Sequence, residues 1–309
     1  MTQTEKQKMM LTAPVEGLIC RMAVPTIISM LITALYNMAD TYFVGKLGSN
    51  AATGAVGVAL PLMAIIQATG FFFGHGSGNS ISRHLGAGDV EDAEKLAACG
   101  FAGAIGTGLI ICVLGQLLTE PLARLLGSTA TILPYAKEYM RYILFAAPYM
   151  TAALVLNNQL RLQGNANFAM IGITSGAVLN VALDPLFIFT FNMGVAGAAA
   201  ATALSQFVSF VILLWALRRA GCVPLRFRYV RCMPSVIGQI FGGGLPSLVR
   251  QGLASLSVMM LNRAAGPYGD AAIAAMSIVG RICQFAGSAV IGFGQGFQPV
   301  CGFLWRWQA

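Results

Sequence analysis

Residues 28–45, ISMLITALYNMADTYFVG, decide the class of fold, because they form an apolar segment of membrane-spanning length that nevertheless contains Asp40. Residues 176–191, GAVLNVALDPLFIFTF, form a second such segment, which contains Asp184. The other nine of the eleven acidic residues lie in hydrophilic stretches. A charged carboxylate inside a bilayer costs several kcal/mol, so it is rare unless it binds a cation or carries a proton. The pair therefore predicts an ion-coupled transporter; the alternative is two carboxyls held only by packing hydrogen bonds.

The composition extends this interpretation to the whole chain. Its 309 residues are 57% hydrophobic and 10% charged, whereas a soluble domain has roughly 25% charged residues. The net charge of +8 indicates membrane topology rather than nucleic-acid binding, because Lys and Arg collect on the cytoplasmic side. The seven cysteines show no CxxC spacing, so they predict neither a disulfide framework nor a metal site. We expect no cofactor.

Eight apolar segments predict an all-α polytopic membrane protein with about eight transmembrane helices. They cover residues 19–44, 51–78, 96–119, 134–158, 167–190, 194–217, 238–262 and 271–304. With the N-terminus inside, the inner segments hold twelve lysines and arginines, including Arg161, and the outer segments hold five. This bias predicts a cytoplasmic N-terminus, and we expect the protein to lie in the plasma membrane. We also expect Asp89 to cap a helix, His84 to be exposed, and Gly74, Gly76 and Gly78 to allow close helix packing.

An internal repeat divides the chain. Pro25 matches Pro246, Gly45 matches Gly266 and Gly48 matches Gly269, and Gly74-His75-Gly76 matches Gly294-Gln295-Gly296. Six spans precede the second copy, so the copies share one orientation. We predict a six-helix lobe at 1–220, a basic cytoplasmic loop at 221–237 and the start of a second lobe at 238–309. Because Trp305-Arg306-Trp307 breaks the repeat, we expect a truncation or frameshift near Phe303; the alternative is a natural short protein.

Four oxygen-bearing side chains are predicted to reach similar depth in one half of the membrane. At a rise of about 1.5 Å per residue, Asp40, Asp184 and Thr202 lie roughly 7 to 12 Å from the outer end of their spans. Asn180 lies one turn from Asp184 on the same helix face. Oxygen ligands suit Na⁺, and carboxyls suit protons. Tyr36 and Asn37 could extend the network. Pro25 would bend the first helix. The alternative for Asn180 and Thr202 is that they only form hydrogen bonds between helices.

The chain resembles the MATE (multidrug and toxic compound extrusion) family of cation-coupled exporters. The resemblance rests on PTIISMLITALYNMADTYFVGKLG, GHGSGNSISRHLGAGD, GVAGAAAATALSQ, GLPSLVRQGLASL and GFGQGFQPVCGF. It implies two six-helix lobes around a central cavity, of which helices nine to twelve would have no counterpart here. It also implies that Asp40, Asn180, Asp184 and Thr202 bind the coupling ion, H⁺ or Na⁺, and that Pro25 bends helix one.

The predicted function is the export of amphiphilic or cationic drugs and toxic compounds across the plasma membrane, by a protein that is not an enzyme. Its partners would be these small molecules and the lipid bilayer, with no nucleic acid, and the full-length form would be a monomer. One alternative is a flippase for lipid-linked precursors, although only Arg250 and Arg281 lie within spans as basic lining residues. A membrane-embedded transferase fits the sequence less well, because it would need clustered acids and metals at a membrane face and the sequence shows no such cluster. A non-functional fragment of a longer exporter is the remaining alternative.

Overall fold

The structure, a computed structural model, describes residues 14–46, 50–126, 128, 130–265 and 270–307. Eight long helices account for most of it, and no β-strand occurs within these ranges. We number them α1 (Val15–Gly45), α2 (Asn50–Gly86), α3 (Val90–Leu117), α4 (Leu133–Leu162), α5 (Ala166–Pro185), α6 (Gly194–Arg219), α7 (Met233–Ala265) and α8 (Asp270–Trp307). Short helices at Thr119–Leu125 and Phe227–Cys232, and a π-helical turn at Leu186–Thr190, lie between them.

The prediction of an all-α membrane protein is confirmed. Seven helical segments within the described ranges are long and apolar enough to cross a membrane. They correspond to the first seven predicted spans, and the eighth predicted span lies within α8. Several helices are longer than their apolar segments: α2 continues to Gly86 rather than ending at residue 78. It does so because its last turns are buried against α8, where Gly86 meets the carbonyl of Phe303.

Successive helices run in opposite directions, and small residues fix their register. Helices α2 and α4 are parallel, and three glycines of α2 contact successive turns of α4. Gly70 lies against Leu154, Gly74 against Asn158 and Gly78 against Leu162. Gly100, Gly108 and Gly115 of α3 meet α4 in the antiparallel sense, at Gln159, Thr151 and Leu144. Glycine at these positions allows the close approach that membrane helices need in order to associate. The predicted packing role of Gly74 and Gly78 is therefore confirmed.

The last two helices pack against the first two rather than against each other. Contacts of α7 with α2, and of α8 with α1, are far more extensive than those between α7 and α8. A two-fold relation that exchanges α1 with α7 and α2 with α8 would produce this arrangement. At the α2–α7 contact, a Cβ added to Gly76 would collide with the carbonyl oxygen of Ile240. Of the predicted repeat matches, Gly48, Gly266 and Gly269 lie outside the described residues.

Two basic residues lie where the sequence did not predict them. Arg161, predicted to lie in an inner loop, is 2% exposed, because α4 continues to Leu162 and α8 covers its end. His84, predicted to be exposed, is buried between Asp89 and Gln239, at 3.3 and 3.1 Å. Asp89 does cap α3 as predicted, since its Oδ1 accepts from the Asp92 amide. The side chain of Arg281 lies outside the described residues.

Candidate cation site

The fifth and sixth helices bring three of the four predicted site residues together. Gly172 and Gly176 of α5 lie so close to α6 that their missing side chains leave room for Leu213 and Ser209. The same antiparallel register places Asn180 beside Thr202 near the other end of the contact. Nδ2 of Asn180 donates to Oγ1 of Thr202 at 3.3 Å and to Oδ1 of Asp184 at 3.3 Å. All three side chains are buried, and Asp184 is 0% exposed.

The first helix supplies the fourth residue. Helix α1 packs extensively along α5, and Asp40 lies close enough to Asp184 for the two carboxylates to interact electrostatically. Asp40 is partly buried as a residue, but its Oδ1 is fully enclosed. We call Asp40, Asn180, Asp184 and Thr202 the carboxylate cluster. It lies near the face of the molecule at which α1 and α5 end and α6 begins.

Three buried oxygens in the carboxylate cluster have no hydrogen-bond donor among the described residues. They are Oδ1 of Asp40, Oδ1 of Asn180 and Oδ2 of Asp184. None of the ion pairs between described residues includes Asp40 or Asp184. Buried polar atoms in native proteins nearly always have a partner, so each exception needs an explanation. Three buried acceptors that have neither a donor nor a cationic partner among the described residues form an oxygen-only set that suits a proton or a small hard cation.

The helix geometry after Asp184 differs from that of an ordinary α-helix. Pro185 follows directly, and the chain continues as a π-helical turn over Leu186–Thr190. Proline has no backbone N–H, so the regular hydrogen-bond pattern cannot pass through it, and π-helical turns within helices occur frequently at functional sites. The wider turn brings the Phe187 carbonyl against Gly197 of α6. The sequence Asp184-Pro185 therefore fixes both the position of the carboxylate and the way in which α5 ends.

Of the two predicted network residues, the structure places Tyr36 near the site. Tyr36 lies within electrostatic range of both Asp40 and Asp184, whereas Asn37 is on an exposed side of α1. Sequence reasoning missed Tyr139 of α4, which is 1% exposed and lies near Asp40, Tyr36 and Asp184. Its hydroxyl points to Sδ of Met63 at 3.9 Å. The apolar period of α4 places Tyr139 on a buried face, but no pattern distinguishes it from the helix's other tyrosines.

The predicted bend residue lies in the same helix as Asp40. Pro25 is buried within α1, and three hydroxyls around it bond back to carbonyls one turn earlier. Thr26, Ser29 and Thr33 donate to the carbonyls of Met22, Pro25 and Ser29, at 2.7, 2.9 and 2.8 Å. Such back-bonding is often found where helices bend. Helix α1 therefore combines a weakened backbone segment with one member of the carboxylate cluster.

A second group of possible metal ligands, at the turn between α2 and α3, is explained by the local structure. His84, Asp89 and Asp92 are the group of this kind within the described residues. Asp89 is engaged in capping α3, and Lys95 already pairs with Asp92 at 2.8 Å and with Glu91 at 3.2 Å. These carboxylates are thus engaged by a helix cap or by Lys95, whereas Asp40 and Asp184 each have one buried oxygen without a donor among the described residues.

Comparison with known proteins agrees with this architecture. The MatE family model matches residues 25–186. The multidrug export protein MepA of Staphylococcus saprophyticus subsp. saprophyticus is 30% identical over 282 residues, which are 91% of this chain and 62% of that relative. The chain therefore spans less than two thirds of that relative's length.

Two solved structures resemble the fold throughout the chain. The crystal structure of MATE in the straight conformation has a TM-score of 0.91 at 29% identity, over 97% of this chain and 67% of that one. The crystal structure of MATE in the bent conformation has a TM-score of 0.89 at 29% identity, over 98% of this chain and 68% of that one.

Proposed function

Because the chain belongs to the MatE family, we propose that it exports amphiphilic or cationic organic compounds by exchange for an inward-moving cation, H⁺ or Na⁺, across the plasma membrane. The observation that carries the proposal is the carboxylate cluster, with its three enclosed oxygens that no described residue satisfies. The relative named as a multidrug export protein supports the class of substrate. The coupling cation would bind between Asp40 and Asp184, with Asn180 Oδ1 as a neutral ligand.

The cluster has the chemistry that reversible cation binding needs. Two neighbouring carboxylates that are both charged and both withdrawn from water repel each other, and a bound cation or proton removes that repulsion. Asn180 donates to both Asp184 and Thr202, so it holds the ligands in place while its own oxygen stays available. The site would thus have two states of different net charge, and its electrostatic interaction with the surrounding helices would differ between them.

Helix α1 offers a route from cation binding to a change of shape. It carries Asp40 near its end and Pro25 in its first half. A displacement of Asp40 would therefore act on a helix whose backbone hydrogen bonding is interrupted at Pro25. A ligand shifts a conformational equilibrium only through its different affinity for the two states. We propose that the cation-bound and cation-free clusters favour different bends of α1 at Pro25. Straight and bent conformations of similar solved structures support this idea.

A Pro25→Ala variant tests the role of the bend separately from ion binding. Alanine restores the backbone N–H and so stabilises one straight form of α1. We expect substrate exchange to slow at least several-fold while the cation affinity of the carboxylate cluster changes little. Transport rates would be measured in vesicles and cation affinity in detergent. An unchanged exchange rate would leave Pro25 with a purely architectural role.

The orientation is proposed from the distribution of basic residues. Removing the buried Arg161 from the inner group reduces the excess of Lys and Arg at that face without reversing it. The basic segment that contains Arg226, Arg228 and Arg231 lies on the side at which α1 begins. We therefore propose that α1 begins at the cytoplasmic face, and that the carboxylate cluster lies towards the outside, where it would meet the incoming cation.

Gradient-driven export tests the proposed function. The 309-residue chain would be reconstituted in vesicles, and the movement of ethidium, an amphiphilic organic cation, would be followed under an imposed pH or Na⁺ gradient. We expect Asp40→Asn and Asp184→Asn each to abolish gradient-driven movement while the protein still folds. Glu138→Gln is the matched control, because Glu138 is an exposed acid of α4.

Each result has a definite meaning. Wild-type ethidium movement in Asp184→Asn would disprove the assignment of the carboxylate cluster as the coupling site. Failure of the wild-type chain to move ethidium under either gradient would contradict the exporter proposal and favour the alternative of a non-functional fragment.

A further inference from the structure

A second buried polar cluster, which the proposed function does not use, joins the first six helices to α7 and α8. We call it the Arg161 node; its members are His75 of α2, Asn158 and Arg161 of α4, Ser247 of α7, and Gln295 and Gln298 of α8. It lies nearer the face at which α1 begins, at the opposite end of the molecule from the carboxylate cluster. Its hydrogen bonds span chain separations of 134, 137 and 172 residues, so it forms only when the helix pairs assemble.

Arg161 is the centre of the node. Its Nη1 donates to the carbonyl oxygen of Gln295 and, at 3.2 Å, to Oε1 of Gln298. Its Nη2 donates to Oδ1 of Asn158 at 2.5 Å and lies 3.3 Å from Nε2 of His75. All of these partners are neutral acceptors, and no carboxylate of the described residues pairs with Arg161. Within the described part of the chain, the charge of this guanidinium, which is 2% exposed, is thus balanced by dipoles alone.

This geometry requires His75 to be neutral. Arginine can only donate hydrogen bonds, so Nε2 of His75 must accept. The single ring proton then lies on Nδ1, which donates to Oγ of Ser247 at 2.8 Å. The ring is 3% exposed and is stacked on Phe71, with a centroid distance of 5.4 Å. His75 therefore links Arg161 of α4 to Ser247 of α7 through a specific tautomer.

A second proton on His75 would break this link. A proton on Nε2 would remove the acceptor for Arg161 and place two positive charges about one hydrogen-bond length apart. The charged groups that act on His75 are Arg161 from α4 and Arg250 from α7. Both are positive, and among the described residues neither α3 nor α8 presents a compensating acid to the ring. The protonated ring would therefore be repelled from the helices that it joins.

We propose that the Arg161 node is a proton-controlled latch, in which neutral His75 holds α7 and α8 against α2 and α4 and a proton bound at Nε2 releases them. The close backbone contact of Gly76 with Ile240 and of Gly296 with Ala23 means that releasing the node separates surfaces that otherwise exclude water. The latch does not depend on the carboxylate cluster or on transport, because it follows from the contacts of the node alone. It assigns a second proton site to the opposite end of the molecule.

Hydrogen–deuterium exchange of the whole chain in nanodiscs tests the latch directly. Exchange would be followed by mass spectrometry for peptides around Ser247 and around Gln295–Gln298, at several pH values between 5 and 8, corrected for the intrinsic effect of pH on exchange. We expect wild-type exchange in both regions to rise several-fold as the pH falls. Peptides from α3, which contributes no residue to the node or to the carboxylate cluster, would serve as the internal reference.

Two histidine variants separate the node from other titrating groups, since the chain has only two histidines. Gln in place of His75 can accept from Arg161 and donate to Ser247 without titrating, so H75Q should stay protected at every pH. H84Q changes the other histidine and should keep the wild-type pH response. A pH-independent exchange in the wild-type protein would overturn the proposal, even if H75Q failed to fold. An unaltered pH response in a folded H75Q protein would overturn it as well.

Discussion

The carboxylate cluster and the Arg161 node are both buried and polar, but their hydrogen bonding differs. In the carboxylate cluster, three acceptor oxygens lack a donor among the described residues. In the node, Arg161 donates hydrogen bonds to four acceptors on three helices. Its Nε is the one guanidinium nitrogen without a partner among the described residues. A satisfied buried network makes a structure rigid, whereas an incomplete one costs stability, and each unsatisfied buried atom needs an explanation. We therefore infer that the node holds the helices together, and we propose that the cluster binds a cation.

The two regions also differ in where their residues come from. The carboxylate cluster uses only α1, α5 and α6, within the predicted first lobe. The node takes its residues from α2, α4, α7 and α8. A change in the charge of the cluster would therefore act first inside the six-helix unit, whereas a change in the node would act on its contact with α7 and α8.

The largest expected effect on stability is the loss of the centre of the node. Arg161→Ala leaves its acceptors buried without a donor, and hydrogen bonds to charged groups are each worth about 1.5–3 kcal/mol. We expect the free energy of unfolding to fall by about 3 kcal/mol or more, as measured by denaturant unfolding in mixed micelles.

The matched control for this change is Arg124→Ala. Arg124 is exposed and pairs with Glu120 at 3.0 Å, and such surface pairs contribute about 0–1 kcal/mol. Equal destabilisation by the two substitutions would show that the node does not stabilise the fold more than a surface ion pair.

A smaller effect is expected where the helices touch beside the node. Gly76→Ala introduces a Cβ against the carbonyl of Ile240, and overpacking of this kind costs about 1–3 kcal/mol. Gly106→Ala is the control, because an added Cβ there would meet no atom of a neighbouring helix within 4 Å among the described residues. This substitution should raise the free energy of unfolding by up to about 1 kcal/mol, because alanine has the higher helix propensity. The same unfolding assay measures both, and a stabilising Gly76→Ala would refute the close α2–α7 contact.

Much of the fold and part of the site could be predicted from the sequence. Membrane-spanning length and apolar composition are local properties, so the spans could be located from them. Asp40 and Asp184 stood out because acids are costly in apolar segments. The positions of Asn180 and Thr202 followed from helix geometry, and the structure places Asn180 within hydrogen-bond distance of both Asp184 and Thr202.

The node could not be predicted, because its residues lack a local signal. Arg161 lies just beyond the apolar segment that ends at residue 158 and so resembled a loop residue, and its distant partners on α8 show that it is buried. His84 was misplaced for the same reason, since Gln239 of α7 covers it. Tyr139 is one tyrosine among several in α4, and its proximity to Asp40 depends on how α4 packs against the rest of the bundle. Each of these depends on pairing between helices that are far apart in the chain.

Cation-dependent stability is the most direct test of the central claim that the carboxylate cluster binds the coupling ion. The melting temperature of the purified chain would be measured with increasing Na⁺ in place of choline at fixed pH. It would also be measured with falling pH at fixed ionic strength in an H75Q background, which removes the response of the node. We expect at least one of these cations to stabilise the protein, and Asp40→Asn and Asp184→Asn to eliminate that stabilisation while Glu138→Gln retains it. A cation response of wild-type size in Asp184→Asn would contradict the claim.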